Sequence, residues 1–175
     1  MPMKTVTAIL VSGLAALAAH GQPAPVFPNI KSADLNGRSL SLPGDFPAPF
    51  SLVFVAFEMR QQADVDSWRP FVEQARRKRP ALGVFELPTI ARGFRLMQFV
   101  IDNGMRSGIT DRETRASTVT LYTDVATFMR ALGVESTKEI AVLVVTPTGG
   151  ILARVSGRYS EEAAAPIERA LSAGG

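Results

Sequence analysis

The residues best suited to chemistry follow an apolar run. Phe50-Ser-Leu-Val-Phe-Val-Ala-Phe57 gives way to Glu58-Met59-Arg60-Gln61-Gln62, with Asp64 and Asp66 close behind. A carboxylate, a guanidinium and two amides packed this closely can hold a polar partner by charge-assisted hydrogen bonds, and a carboxylate can serve as a general acid or base. What is absent narrows the chemistry further. The chain of 175 residues has no cysteine and a single histidine, His20. Disulfides, thiolate ligands, thiol nucleophiles and lipid attachment through Cys are excluded. A Ser-His-Asp triad and the usual general base near neutral pH are missing from the body of the chain. Asp64-x-Asp66 at a helix start is explained by capping and the helix dipole, and a lone Met59 by packing, so no metal and no cofactor is expected.

Two other groups carry charge. Lys138 and Glu139 precede the second unbroken apolar run, Ile140 to Val145. Arg106, Arg112 and Arg115 lie beside Asp111 and Glu113 in Met105 to Ala116, the least periodic stretch, which reads as a solvated loop. Pro147-Thr-Gly-Gly150 is not a phosphate-binding loop, because it lacks the Lys and the following helix such a loop needs.

The elements that must position these residues follow from periodicity. An almost unbroken Val- and Phe-rich run is the mark of a strand buried on both faces, so Phe50 to Phe57 is expected at the centre of a sheet. In open α/β sheets ligands bind beyond the carboxyl ends of the strands, which puts Glu58 to Gln62 where chemistry is expected. Upstream, Asn36-Gly37 between two short alternating runs predicts a hairpin. Downstream, Val65, Trp68, Val72 and Ala75 predict an amphipathic helix over 64–78, with Pro70 either in its first turn or at a kink. Leu82 to Leu87 reads as a strand, and Phe94, Met97, Gln98 and Ile101 as a helix ending near Gly104. Val119 to Tyr122 is a third strand, followed by a short helix capped by Asp124 and closed by Gly133. Ile140 to Val145 and Ile151 to Val155 form a hairpin, and Ser160 starts the last helix.

The 19 basic and 16 acidic residues give a formal charge of +3, too small an excess to imply a nucleic-acid partner. Residues 1–21 have the pattern of a secretory signal: Lys4, the apolar stretch Val6 to Ala18, then Ala19-His20-Gly21. Residues 22–28 read as a proline-rich linker and 29–175 as one domain. The location expected is periplasmic or secreted, with no stable membrane insertion after the signal is cut.

Asp34-Leu-Asn-Gly-Arg-Ser-Leu-Ser-Leu-Pro43 followed by Leu52-Val-Phe-Val-Ala-Phe57 resembles the opening of peroxiredoxin-like and membrane-tethered thioredoxin-like proteins, and Val142 to Gly157 resembles their closing hairpin. The resemblance implies an α/β, thioredoxin-like fold: a central mixed sheet with helices on both faces, an N-terminal β-hairpin and an inserted βα-type segment. In those families a reactive Cys starts the helix after the first central strand, and a cis-proline precedes the closing hairpin. Here Glu58-Met-Arg-Gln-Gln62 and Thr137-Lys-Glu-Ile140 stand at those places, so neither disulfide exchange nor thiol peroxidase activity carries over. The middle of the chain is fainter in its likeness to the thioredoxin-like mitochondrial ATP synthase assembly factors, which implies action by binding. The expectation is therefore an exported binding or assembly module that holds a protein or peptide partner in the cell envelope. Glu58, Met59, Arg60, Gln61, Gln62, Lys138 and Glu139 form the first candidate surface, and Arg106, Arg112 and Arg115 the second. The alternative is a small-molecule enzyme working through Glu58, Asp64, Arg60 and Arg92.

Overall fold

The computed structural model describes residues 24–173; the expected signal, residues 1–21, lies outside the described residues. Asn36-Gly37 turns the chain between β1 (Ile30–Ala33) and β2 (Ser39–Leu42), an antiparallel pair. Gly37 has φ 88°, a backbone that L side chains rarely adopt, and Asp34 Oδ1 braces the turn by accepting from the Asn36 and Arg38 amides at 2.8 and 2.9 Å. Residues 22–28 are not wholly a linker: Phe27 is buried, and its amide donates to the Gly149 carbonyl at 2.9 Å. Its ring packs edge-on against Phe46 and Phe128, and burying a side chain of this size outweighs the cost of ordering the proline-rich lead-in.

The main sheet has five strands in the order β5-β4-β3-β6-β7. Its centre is β3 (Ser51–Ala56), buried at every residue, parallel to β4 (Gly83–Ala91) on one side and antiparallel to β6 (Ala141–Val145) on the other. β7 (Ile151–Ser156) pairs antiparallel with β6, and β5 (Leu121–Thr123) parallel with β4. Because side chains alternate across a strand, β3 feeds two cores. Val53 and Val55 pack with Phe27, Leu42, Phe128 and Leu132 on the face covered by the hairpin and by α5 (Val125–Leu132). Leu52 and Phe54 pack with Trp68, Phe71, Ile167 and Leu171 on the face covered by α1 (Gln62–Ser67), α2 (Arg69–Lys78) and α6 (Glu161–Ala173). Each fully buried side chain of this size contributes about 1.5–3 kcal/mol, which is why an unbroken apolar strand settles between two layers.

Several boundaries differ from the sequence expectation. The helix over 64–78 is two helices, α1 and α2, with Trp68 between them and Pro70 in the first turn of α2, where its missing N–H has no intrahelical partner to lose. β4 runs on past Leu87 to Ala91, because Thr89, Ile90 and Ala91 pair with β5. The stretch Met105 to Ala116 is not a loop. A 3₁₀ segment, Arg92–Met97, leads into α3 (Gln98–Gly108), and α4 (Arg112–Ser117) follows, capped by Asp111 accepting from the Thr114 amide at 2.6 Å. Residues 92–123 thus form the inserted segment, and β5 is its return to the sheet. No helix among the described residues is long and apolar enough to cross a membrane.

Candidate functional site

β3 ends at Ala56, and the chain turns through Phe57 and Glu58 into a 3₁₀ turn, Met59–Gln61, that runs into α1. Gln61 holds this turn. It is 2 % exposed, and its Oε1 accepts from the Phe57 and Glu58 amides at 2.8 and 3.2 Å. Its Nε2 donates to the Thr137 carbonyl at 2.7 Å. One side chain thereby ties the strand end, the helix start and the loop entering β6, and it brings the Lys138 and Glu139 backbone to the Glu58–Gln62 turn. Gln61 is a buried brace, not the exposed contact residue that the polar run implies, because burial here is decided by Thr137, distant in the chain.

The remaining residues of the first group point outward. Met59 is 95 % exposed. Arg60 folds back on Glu58: its Nε donates to Glu58 Oε2 and its Nη2 to Oε1, the latter at 3.1 Å. That guanidinium holds the Glu58 carboxyl below its ordinary value. Gln62 reaches Asp66 Oδ1 at 3.4 Å. Lys138 and Glu139 are exposed, and a Cβ on Gly157 would stand 3.6 Å from the Glu139 carboxyl. The Gly157 carbonyl accepts from Trp68 Nε1 at 3.0 Å, so the aromatic core of α1 and α2 begins one layer below the site.

Of the residues of the alternative enzyme reading, Glu58 and Arg60 are closed on each other, and Asp64 lies close enough to favour the charged Arg60 guanidinium. Asp64 pairs with Arg158 at 3.3 Å. Arg92 starts the 3₁₀ segment beyond β4 and adds, behind the Thr127 hydrogen bonds and Arg130, to the forces holding the Asp124 carboxyl below its ordinary value. The second group stands apart from the first. Arg106 Nε donates to the Leu35 carbonyl at 2.7 Å, and Arg115 Nε to Asn36 Oδ1 at 3.0 Å. The Arg112 carbonyl accepts from Asn36 Nδ2 at 3.0 Å, leaving its own side chain exposed. These residues clasp the inserted segment to the hairpin turn.

The sequence reading passed over two features. Glu86 lies on β4 opposite Phe54, in a cleft it shares with Val65, Asp66, Arg69 and Val72. Burial pushes its carboxyl up, against the Gln62 amide, which lowers it, and Asp66 raises it further. A lone carboxylate inside Val84-Phe-Glu-Leu87 was the available signal. The second is the segment after β4: its helical spacing reads as a buried face, yet Phe94 and Met97 are 53 % and 51 % exposed.

No family model matches the chain, and no curated protein matches it. Solved structures do. The exposed lipoprotein thioredoxin Etrx1 of Streptococcus pneumoniae is 14% identical, with 83% of this chain and 99% of that one covered at a TM-score of 0.55. A thiol-disulfide oxidoreductase of Bacteroides fragilis is 14% identical over 83% of this chain and 98% of that one, TM-score 0.52. A thiol:disulfide interchange protein of a Bacteroides species is 21% identical over 75% and 79%, TM-score 0.50. The fold is thioredoxin-like, and this chain carries it without a thiol.

Proposed function

We propose that this protein is an exported thioredoxin-fold binding module, free of thiol chemistry, which holds a protein or peptide partner at the Glu58–Gln62 turn and the 136–139 loop. The observation that carries the reading is Gln61. At the place where the resembled families put a reactive thiol, a buried amide consumes the Phe57 and Glu58 N–H groups and locks the turn to Thr137. A site braced in this way is a fixed platform. Around it Met59, Arg60, Lys138 and Glu139 are exposed and differ in chemistry, which suits recognition of an extended or looped segment. The acid–base alternative is less well supported, since Glu58 is closed on Arg60 with its carboxyl held low and Asp64 is paired with Arg158.

A photo-crosslinking residue at Met59 tests the reading in the native envelope, with Ala165 on α6 as the control position. A defined adduct at position 59 that is lost in Arg60→Ala, with none at position 165, is the expected result. Equal labelling at both positions, or an adduct indifferent to Arg60→Ala, would move the surface elsewhere. Export itself is checked by N-terminal sequencing of the recovered protein, where a start near Gln22 is expected and an intact Met1 would count against it. For the enzyme alternative, Glu58→Gln and Asp64→Asn discriminate, because removing a general acid or base costs roughly 100-fold to 10,000-fold in rate while amide replacements leave a peptide-binding face working.

A further inference from the structure

The segment after β4 has the composition of a core and the exposure of a surface. Phe94, Leu96, Met97, Phe99 and Val100 are 53, 99, 51, 78 and 64 % exposed. α3 contributes no buried residue. Polar contacts help fix its orientation: Tyr122 Oη donates to Asp102 Oδ1 at 2.9 Å, and Arg106 Nε to the Leu35 carbonyl at 2.7 Å. Asp102 and Arg106 hold the later turns of α3 to the domain, while Val100, on another face, and Phe99, in the first turn, stay 64 and 78 % exposed.

The charges of this segment are Arg92, Arg95 and Arg106 against Asp102. Asp102 is committed to Tyr122, and Arg95 makes no ion pair among the described residues. We propose that this edge of the protein docks on an anionic lipid surface, with Leu96, Phe99 and Val100 entering the interface and Arg95 meeting lipid phosphates. Large apolar side chains on one side of a short helix, with arginine beside them, are the pattern of an element that lies in the headgroup boundary. Shape favours lipid over a protein groove. Leu96 protrudes almost completely, and a bilayer interface accepts a protruding side chain without a matching pocket. Charge disfavours a second copy, since a two-fold contact over this patch would bring its arginines together. The docking is independent of the partner-binding reading of Glu58–Gln62, so either can fail alone.

The absence of cysteine supplies the test. Leu96→Cys gives the full-length chain one thiol, which takes an environment-sensitive fluorophore; Ala165→Cys, on the helix at the opposite edge of the sheet, is the control. The full chain is used because label position, not total binding, is the readout, and an apolar N-terminus that enters lipid leaves position 96 uninformed. With vesicles of phosphatidylcholine and phosphatidylglycerol, the label at 96 is expected to shift to shorter wavelength while that at 165 stays unchanged. Arg95→Gln in the 96-labelled chain should weaken the response about fivefold, the effect of one basic residue at an anionic surface. A label at 96 that ignores these vesicles, responds equally to phosphatidylcholine alone, or matches the label at 165 would overturn the proposal. So would a shift that grows with protein concentration in the absence of lipid, which would assign the face to a second copy.

Discussion

Replacing Gln61 with alanine removes three hydrogen bonds in one step. The Phe57 and Glu58 amides lose their acceptor and the Thr137 carbonyl loses its donor. A typical bond contributes about 0.5–1.5 kcal/mol net, and a buried polar group left unpaired costs about 1–3 kcal/mol. Glu58 is exposed and Thr137 partly so, and water will reach some of the orphaned groups; the Phe57 amide sits at the end of the fully buried β3. Counting one group as unpaired and two bonds as replaced by water gives a loss of about 2–6 kcal/mol. For a domain of this length that lowers Tm by roughly 4–24 °C. Urea unfolding followed by the fluorescence of Trp68, the single and fully buried tryptophan, measures the change directly. Arg60→Ala, which removes an exposed pair on the same turn, is the matched control and should stay within about 0.5 kcal/mol. A Gln61→Ala variant as stable as Arg60→Ala would refute the assignment of Gln61 as the brace.

Glu86 makes stability depend on pH. Its folded-state carboxyl is raised above the ordinary 4.5, so the fold prefers it protonated; the stability this gives is fully present below 4.5 and is lost as pH rises through the folded value. Glu86→Gln should therefore be more stable than the parent at neutral pH and show no gain below 4.5, read from urea midpoints at the two conditions. Gly133 closes α5 with φ +68°, and a Cβ there would collide with Arg154 Nη1. Gly133→Ala should cost about 1–2 kcal/mol for the left-handed backbone alone, and more as the Arg154 bond to the Leu132 carbonyl is displaced; an unchanged Tm would refute it. With no cysteine in the chain, Tm should not respond to reductant, and the purified protein should neither reduce a disulfide substrate nor consume peroxide through a thiol. Protein-dependent turnover in either assay would reveal a non-thiol route.

Local chemistry along the chain determined the architecture. Ile140 to Val145 is apolar at every position and Phe50 to Phe57 at every one but Ser51, so the middle of a sheet covered on both faces suits them, and they are neighbours there as β3 and β6. Asn36-Gly37, Asp124 and Gly133 announced a turn, a cap and a helix end because those functions rest on one residue's own backbone or side chain. The absence of thiols, which excludes the thiol chemistry of the families the sequence resembles, is composition alone. Tertiary structure decided what pairing across distance controls. β5 drew Thr89 to Ala91 into the sheet, the hairpin turn ordered Arg106 to Arg115 into helices, and Thr137 turned Gln61 from a contact residue into a brace. The exposed Phe94 to Val100 edge belongs to the same class. Its spacing is that of a buried face, and whether a helical face is covered depends on what lies opposite it, which a single sequence does not encode locally.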